Sequence, residues 1–249
     1  MHEMYSRRQT RSWYLPGRLY DLAFAGLFRR LRRRVTRAVE RDGLYPWLDV
    51  CCGTGSQFRR LRDGHGDGRP VGGHVPMVRV PDPVVCGLDQ LGGHAPDPVV
   101  CGLDKSAGMI RYAAARAPEV PFVCGDAGQL PFKDGSFRAV SVSFGLHDKS
   151  PDLRRAMMAE ARRVLAPGGR FVAVDFENPW SARSRAGALA VRAVERLTGG
   201  EHYRNGREFL SRGGLRAFFR ESGFVETARH DVEIGSISVV VARIEAPAI

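Results

Sequence analysis

The segment LDVCCGTGSQ, residues 48–57, sets a carboxylate and two glycines directly after a short apolar run and ahead of a stretch that predicts a helix. Glycine lets the backbone approach a ligand closely, and the first turn of a helix offers N–H groups that have no partner of their own. The same arrangement holds a pyrophosphate in dinucleotide enzymes. Here the spacing is D-x-x-x-G-x-G, from Asp49 through Gly53 to Gly55, and the third glycine of the dinucleotide pattern is absent. A carboxylate beside such a loop repels a phosphate and suits a ligand that carries an ammonium or sulfonium. A glycine-rich turn is weak evidence by itself, so its neighbours decide what it binds.

Among those neighbours, DPVVCGLD occurs twice, at 82–89 and again at 97–104. Both copies read as a strand ending in an acid, Asp89 or Asp104. Only the second leads into a helix-forming segment, SAGMIRYAAARA, with Ser106 placed to cap it. The first is followed by QLGGHAPDP, whose glycines and prolines do not make a helix. The stretch from 63 to 97 therefore reads as an insertion rich in Gly, Pro and His, with Asp89 a spectator inside it and Asp104 the working acid. A lid over a substrate is the functional alternative for this insertion.

The elements that must position these residues alternate. YPWLDV, PVVCGLD, VPFVCGD, FRAVSVSFGL and RFVAVDFE read as strands, and SAGMIRYAAARA and PDLRRAMMAEARRVL as helices, the second stopped by APGG. Strand–helix alternation predicts an α/β fold, a doubly wound, mostly parallel sheet covered on both faces. The tail differs. One helix, REFLSRGGLRAFFRES, is followed by two adjacent strands around Gly235, which predict an antiparallel hairpin on the sheet edge. Over 18–41 the apolar residues Leu19, Leu22, Ala23, Leu27, Leu31, Val35, Ala38 and Val39 recur at helical spacing. Arg29, Arg30, Arg32, Arg33 and Arg37 fill the opposite side. This basic amphipathic helix packs on its own domain or lies against anionic lipid.

The 249 residues carry 38 Lys+Arg against 27 Asp+Glu, a net charge of +11. Such a surface favours an anionic partner or reflects the codon habit of a GC-rich genome. Five cysteines (Cys51, Cys52, Cys86, Cys101 and Cys124) form no C-x-x-C pair and read as reduced thiols of a cytoplasmic protein. His74, Cys86, His94 and Cys101 match no zinc spacing, so no metal is expected. No run approaches the ~20 apolar residues of a membrane span, and the N-terminal segment lacks a signal-peptide cleavage site.

Five blocks in order carry a resemblance: YDLAF (20–24), LDVCCGTG, GLDKSAGMI, GDAGQLPFKDGSFRAVSVSFGL and EARRVLAPGGRFVAVDFENP. Together they resemble the class I S-adenosylmethionine-dependent methyltransferases, and within that class the ubiquinone/menaquinone-biosynthesis C-methyltransferases. The resemblance spans most of 20–179 outside the insertion. It implies a Rossmann-like seven-stranded sheet, S-adenosylmethionine as cofactor, and a methyltransferase domain over 43–249 behind a helical segment at 1–42. It also implies that backbone at Cys51, Gly53 and Gly55 lines the methionine part of the cofactor beside Asp49. Asp104, with Lys105 after it, would take the ribose hydroxyls. Met109 would pack on adenine, Asp126 and Ala127 would read its amine, and Ser143 would border the methionine tail.

For the acceptor, the family continues SFGL with Arg-Asn, whereas this chain has His147-Asp148, both expected to be catalytic. A histidine at the C-terminal lip of a central strand could take a proton from a hydroxylated ring and make the ring nucleophilic. A surface turn is the plain alternative. Tyr20, with Asp21, matches the family's N-terminal YD and would fold over the acceptor. His202 and Tyr203 fall in a cap expected at 178–212, where acceptor choice is decided. Three functions compete: C-methylation of a prenylated quinol such as demethylmenaquinol, N- or O-methylation of a phospholipid headgroup or other small molecule, and a catalytically silent nucleic-acid-binding module. The intact acids and glycines argue against the third. The first two share a lipophilic acceptor and peripheral contact with an anionic membrane on its inner face.

Overall fold

The computed structural model describes residues 17–58, 100–118, 120–198, 200–232 and 236–245. The elements are α1 (Gly17–Glu40), β1 (Trp47–Val50), β2 (Val100–Asp104), α2 (Ala107–Arg116), β3 (Phe122–Cys124), β4 (Phe137–Ser143), α3 (Pro151–Val164) and β5 (Leu165–Phe176). After these come α4 (Ala182–Thr198), α5 (Gly200–Ser211), α6 (Gly214–Glu221), β6 (Phe224–Val232) and β7 (Ile237–Ile244). Among the described residues seven strands form one sheet in the order β3-β2-β1-β4-β5-β7-β6. Strands β1 to β5 pair in parallel, while β7 runs antiparallel to both β5 and β6. This is the α/β, doubly wound sheet expected, with its C-terminal hairpin in place. Within that hairpin β7 sits against β5, and only β6 is the edge.

Strand alternation splits the core between the two faces of the sheet. On β5, Phe171 and Ala173 face one apolar layer with Leu48, Val140, Met157 and Leu215, while Val172 and Val174 face the other with Trp47, Ala139 and Val239. Helix α1 closes the second layer with Leu31, Val35 and Val39, and it exposes Arg29, Arg30, Arg33, Arg34 and Arg37. Each of those buried apolar side chains contributes on the order of 2 kcal/mol. The apolar stripe of the basic helix is thus consumed by the sheet, at least over its last three turns.

Two expectations change. REFLSRGGLRAFFRES is not one helix: the chain breaks between α5 and α6, where Gly213 and Gly214 take φ of +107° and +65°. Gly214 also runs so close to Glu177 that a Cβ would sit 2.9 Å from its Oε1 and 3.1 Å from its Cα. The APGG segment does not separate α3 from its strand either, because β5 already begins at Leu165. The insertion at 63–97, with Asp89, His74, Cys86 and His94, lies outside the described residues, as does the side chain of Tyr20 in α1.

The order of strands reverses between β1 and β4, so a crevice opens at their carboxyl ends. Asp49 stands beside Ser141 of β4 and Gly102 of β2 in the register, one residue from that lip.

Candidate active site

Beyond Val50 the chain turns on Cys51, whose φ of +58° is uncommon for a residue with a side chain. The turn is held by a Cys52 N–H donated to the Leu103 carbonyl at 3.0 Å. The two glycines that follow do different work. At Gly53, with φ +54°, a Cβ would meet nothing within 4 Å, so its missing side chain leaves space above the loop. At Gly55 a Cβ would lie 2.6 Å from Phe122 Cζ and 2.9 Å from Ala113 Cβ. Gly55 is therefore required for packing β3 and α2 against the loop, and it does not line the cavity described next.

That cavity, about 70 Å³, is lined by Asp49, Cys51, Gly53, Thr54, Gln57 and Ser143, with Leu31 and Arg32 of α1 on its outer side. Asp49 is buried, and its Oδ1 accepts from Ser141 Oγ at 2.6 Å, which in turn accepts from Trp47 Nε1 at 2.8 Å. Burial pushes the Asp49 carboxyl up to about 7, although the Ser141 hydrogen bond and the nearby Arg32 charge pull it down. A cation seated beside it would keep it ionised. Gln57 ties α1 down: its Nε2 donates to the Arg32 carbonyl at 3.1 Å and to Thr36 Oγ1 at 2.8 Å.

Asp104 closes the inner side of the loop. Its Oδ2 accepts from Gly53 N at 2.9 Å and its Oδ1 from Ser106 N at 2.8 Å, while Ser106 Oγ caps α2 by accepting from Met109 N. Burial raises the Asp104 carboxyl and these two N–H groups partly offset that. An ionised carboxylate has about four lone-pair positions. Two remain on Asp104 for a pair of hydroxyls. Asp126 lies next to it, joined through Gly125 N to the Asp104 carbonyl at 3.1 Å. Burial works to raise the Asp126 carboxyl, but the Gly128 N–H and Lys105 Nζ (3.1 Å) outweigh it and hold it below the usual range. Met109 and Ala127 are buried beside this pair of acids.

A larger cavity, about 590 Å³, opens beyond the end of β5. Phe176, Ala188, Val191 and Leu210 give it apolar walls, and His147, Glu177, Asn178, Tyr203 and Arg207 give it polar ones. His147 is not in a surface turn; it is 3 % exposed. Its Nδ1 lies 2.7 Å from Asp175 Oδ1, and Asp175 Oδ2 accepts from the Leu146 and His147 backbone N–H groups at 3.0 and 3.2 Å. A carboxylate at Nδ1 fixes the ring orientation and makes Nε2 the basic nitrogen. The ring stacks edge-on against Phe176 and against His202, with centroids 4.6 and 5.3 Å away.

Asp148 takes a different part from its neighbour. Both of its oxygens accept from Lys149 Nζ at 2.6 Å, and its backbone carbonyl accepts from Asn205 Nδ2 at 2.9 Å. Burial works against its charge, yet Lys149, His147 and His202 hold its carboxyl below the usual range. It anchors the cap to the loop. Buried Arg154 reinforces this, donating to the Lys149 and Asn205 carbonyls and to Glu208 Oε2. Asp175 is the functional residue that the sequence reading missed. The available signal was an acid near the end of an otherwise apolar strand.

An acid–glycine loop at the reversal point of a 3-2-1-4-5-7-6 sheet defines the fold class, a Rossmann-like, mostly parallel α/β sheet with a binding crevice at its carboxyl edge. A family model described as "Methyltransferase domain" matches residues 88–169, which takes in Asp104, Asp126 and His147. Among solved structures the fold is similar to an S-adenosylmethionine-dependent methyltransferase from Aquifex aeolicus (TM-score 0.50, 14% identity, 84% of this chain and 89% of that one). It is also similar to the N-methyltransferase NodS of Bradyrhizobium japonicum (TM-score 0.51, 13% identity, 88% and 96%). In sequence, the chain is similar to demethylmenaquinone methyltransferases. That of Paenarthrobacter aurescens is 42% identical over 64% of this chain and 49% of its own length, and that of Renibacterium salmoninarum 33% identical over 64% and 53%. The chain spans about half the length of the curated relatives it matches.

The residues present fit S-adenosylmethionine. Gly53 leaves a cradle that a Cβ would fill, Asp104 keeps lone pairs for the ribose hydroxyls, and Asp49 is set to face a cation. At about 70 Å³ the cavity holds only a few waters, so a methionine moiety would require Leu31 and Arg32 on its lining to shift.

Proposed function

We propose that this protein transfers a methyl group from S-adenosylmethionine to a hydroxylated ring, a prenylated quinol of the demethylmenaquinol type. The observation that supports this most is the His147–Asp175 pair, 2.7 Å apart, with His147 lining a 590 Å³ cavity beyond the end of β5. The relatives' name supports the acceptor class.

When bound, the cofactor supplies a methyl group already activated by its sulfonium. Asp104 and Gly53 hold it by the ribose and backbone, and Asp49 balances its charge. His147 Nε2 accepts the proton of the acceptor's hydroxyl, and Asp175 stabilises the imidazolium that results. A base so placed contributes on the order of 10²–10⁴ in rate. Loss of that proton enriches both the oxygen and the adjacent ring carbon in electron density. Which of them is methylated would depend on which the cavity walls bring to the methyl. The S–CH3 bond would break as the new bond forms, and S-adenosylhomocysteine would leave. On carbon, the ring C–H proton would then be lost so that the ring regains its aromaticity. Phe176, Ala188, Val191 and Leu210 exclude water and suit an apolar ring.

Because His147 is placed to deprotonate a hydroxyl, O-methylation of a phenol is the second reading. One experiment tests both. The purified protein is given radiolabelled S-adenosylmethionine and reduced demethylmenaquinone in detergent. Label in the organic phase as an acid-stable C-methyl product supports the first reading and as a methyl ether the second. No label in the organic phase, with cofactor bound, would overturn both.

A further inference from the structure

Helix α5 has two unlike faces. Asn205, Glu208 and Phe209 hold it to the loop after β4 and to α3. Asn205 Nδ2 donates to the Asp148 carbonyl at 2.9 Å, and buried Arg154 reaches Glu208 Oε2 at 2.6 Å and lies over the Phe209 ring. The opposite face, at helical spacing, carries Tyr203, Gly206, Arg207, Leu210 and Ser211, and all five line the 590 Å³ cavity. The helix is thus fixed from behind and offers a cation to a cavity with apolar walls at Phe176, Ala188 and Val191.

The carboxylates near that cation are spent elsewhere. Glu177, on the same lining, is buried; its Oε2 accepts from Arg216 N at 2.9 Å and from Arg229 Nη1 at 3.0 Å, and its Oε1 from Asn178 N at 3.1 Å. Glu208, next to Arg207 in the chain, is taken by Arg154 and Arg212. Among the described residues no carboxylate pairs with Arg207, whose guanidinium carbon lies 5.9 Å from the centre of the Tyr203 ring one turn back. Arg207 both lines the cavity and is exposed, so it stands where the cavity meets solvent. Contact with an aromatic face narrows the positions of a long side chain and leaves its N–H fork for a ligand. Such a fork recognises an oxygen acceptor, best an anionic one, and a ring that lacks it gains nothing from the arginine. His202, whose ring meets that of His147 edge-on with centroids 5.3 Å apart, precedes Arg207 on α5 by about 7.5 Å of helix rise. Base and cation are therefore set apart on the scale of an aromatic ring system.

We infer that Arg207, backed by Tyr203, selects the acceptor by binding a second oxygen substituent of its ring, a ring oxygen or a carboxylate, across from the hydroxyl that meets His147. This deepens the proposed reaction and rests on it for the place of that hydroxyl, but it is read from binding without methyl transfer, so either can fail alone. The test is isothermal titration of the full chain under nitrogen with three probes on one ring system: α-naphthol, para-naphthohydroquinone and para-hydroxynaphthoate. At least one of the two-oxygen probes should bind the wild type about fivefold or more tighter than α-naphthol, a modest factor because Arg207 is exposed. A gain with the hydroquinone identifies the group as a ring oxygen, and a gain with the acid alone identifies it as a carboxylate. Arg207→Gln should erase the margin and leave α-naphthol affinity within about twofold, while Arg207→Lys should keep part of it, since a point charge lacks the fork. Three results would overturn the proposal: equal binding of all three probes by the wild type, a margin that survives in Arg207→Gln, or no binding of any probe. A margin that follows Arg207 in a protein that methylates no quinol would support the assignment and sink the proposed reaction instead.

Discussion

Replacing Asp104 by Asn tests the cofactor site. The carboxylate accepts from Gly53 N on one oxygen and from Ser106 N on the other, and the remaining lone pairs are assigned to two ribose hydroxyls. An amide has one accepting oxygen, so one N–H loses its acceptor and one hydroxyl contact is lost. A hydrogen bond to a charged group is worth about 1.5–3 kcal/mol, so the cofactor dissociation constant should rise by roughly 10- to 150-fold. The orphaned N–H also costs stability, about 1–3 kcal/mol, which a urea titration of the free protein reads separately. Isothermal titration with S-adenosylmethionine measures the affinity. The matched control is Asp89→Asn in the first copy of DPVVCGLD, which should leave affinity unchanged. A change below about threefold for Asp104→Asn, or equal changes for both variants, would refute the assignment of Asp104.

Gly53→Ala should cost about 1–2 kcal/mol of stability, from the left-handed φ alone, and weaken cofactor binding more than that. Gly55→Ala should cost several kcal/mol, because a Cβ there meets Phe122 at 2.6 Å; urea unfolding distinguishes the two. Asp49 sets a pH dependence. Its carboxyl lies near 7 in the folded protein against 3.8 unfolded, so the folded state keeps a proton that the unfolded chain has lost. Stability of the cofactor-free protein should therefore fall as pH rises from about 4 to 7, by on the order of 4 kcal/mol. Asp49→Asn should flatten that slope in melting temperature. Gln57→Ala removes the two bonds that hold α1 at Arg32 and Thr36, and should raise hydrogen exchange over 31–36 by about tenfold.

Much of this was legible in the chain. The helix expected after Asp104 is present, and α2 begins there with Ser106 as cap. The sheet was legible because strands and helices alternate with sharp punctuation. What was not legible depends on contacts between distant residues. Asp175 reaches His147 from the neighbouring strand, 28 positions on. Gly55 is fixed by Phe122, which no local pattern couples to it. The break between α5 and α6 comes from the close passage of Gly214 over Glu177, and a pair of glycines in a helical pattern does not announce that. Asp148, adjacent to the predicted base, read as a catalytic partner, yet Lys149 holds it.

The central claim is that His147, oriented by Asp175, is the base of a methyl transfer whose cofactor is held elsewhere. It is tested most directly by comparing the wild type with His147→Gln for labelled methyl transfer to demethylmenaquinol at saturating cofactor, with cofactor affinity titrated alongside. Turnover should fall by a factor on the order of 10²–10⁴ while the cofactor dissociation constant stays within about twofold. Undiminished turnover with the variant, or a loss of cofactor affinity that accounts for the whole effect, would contradict it.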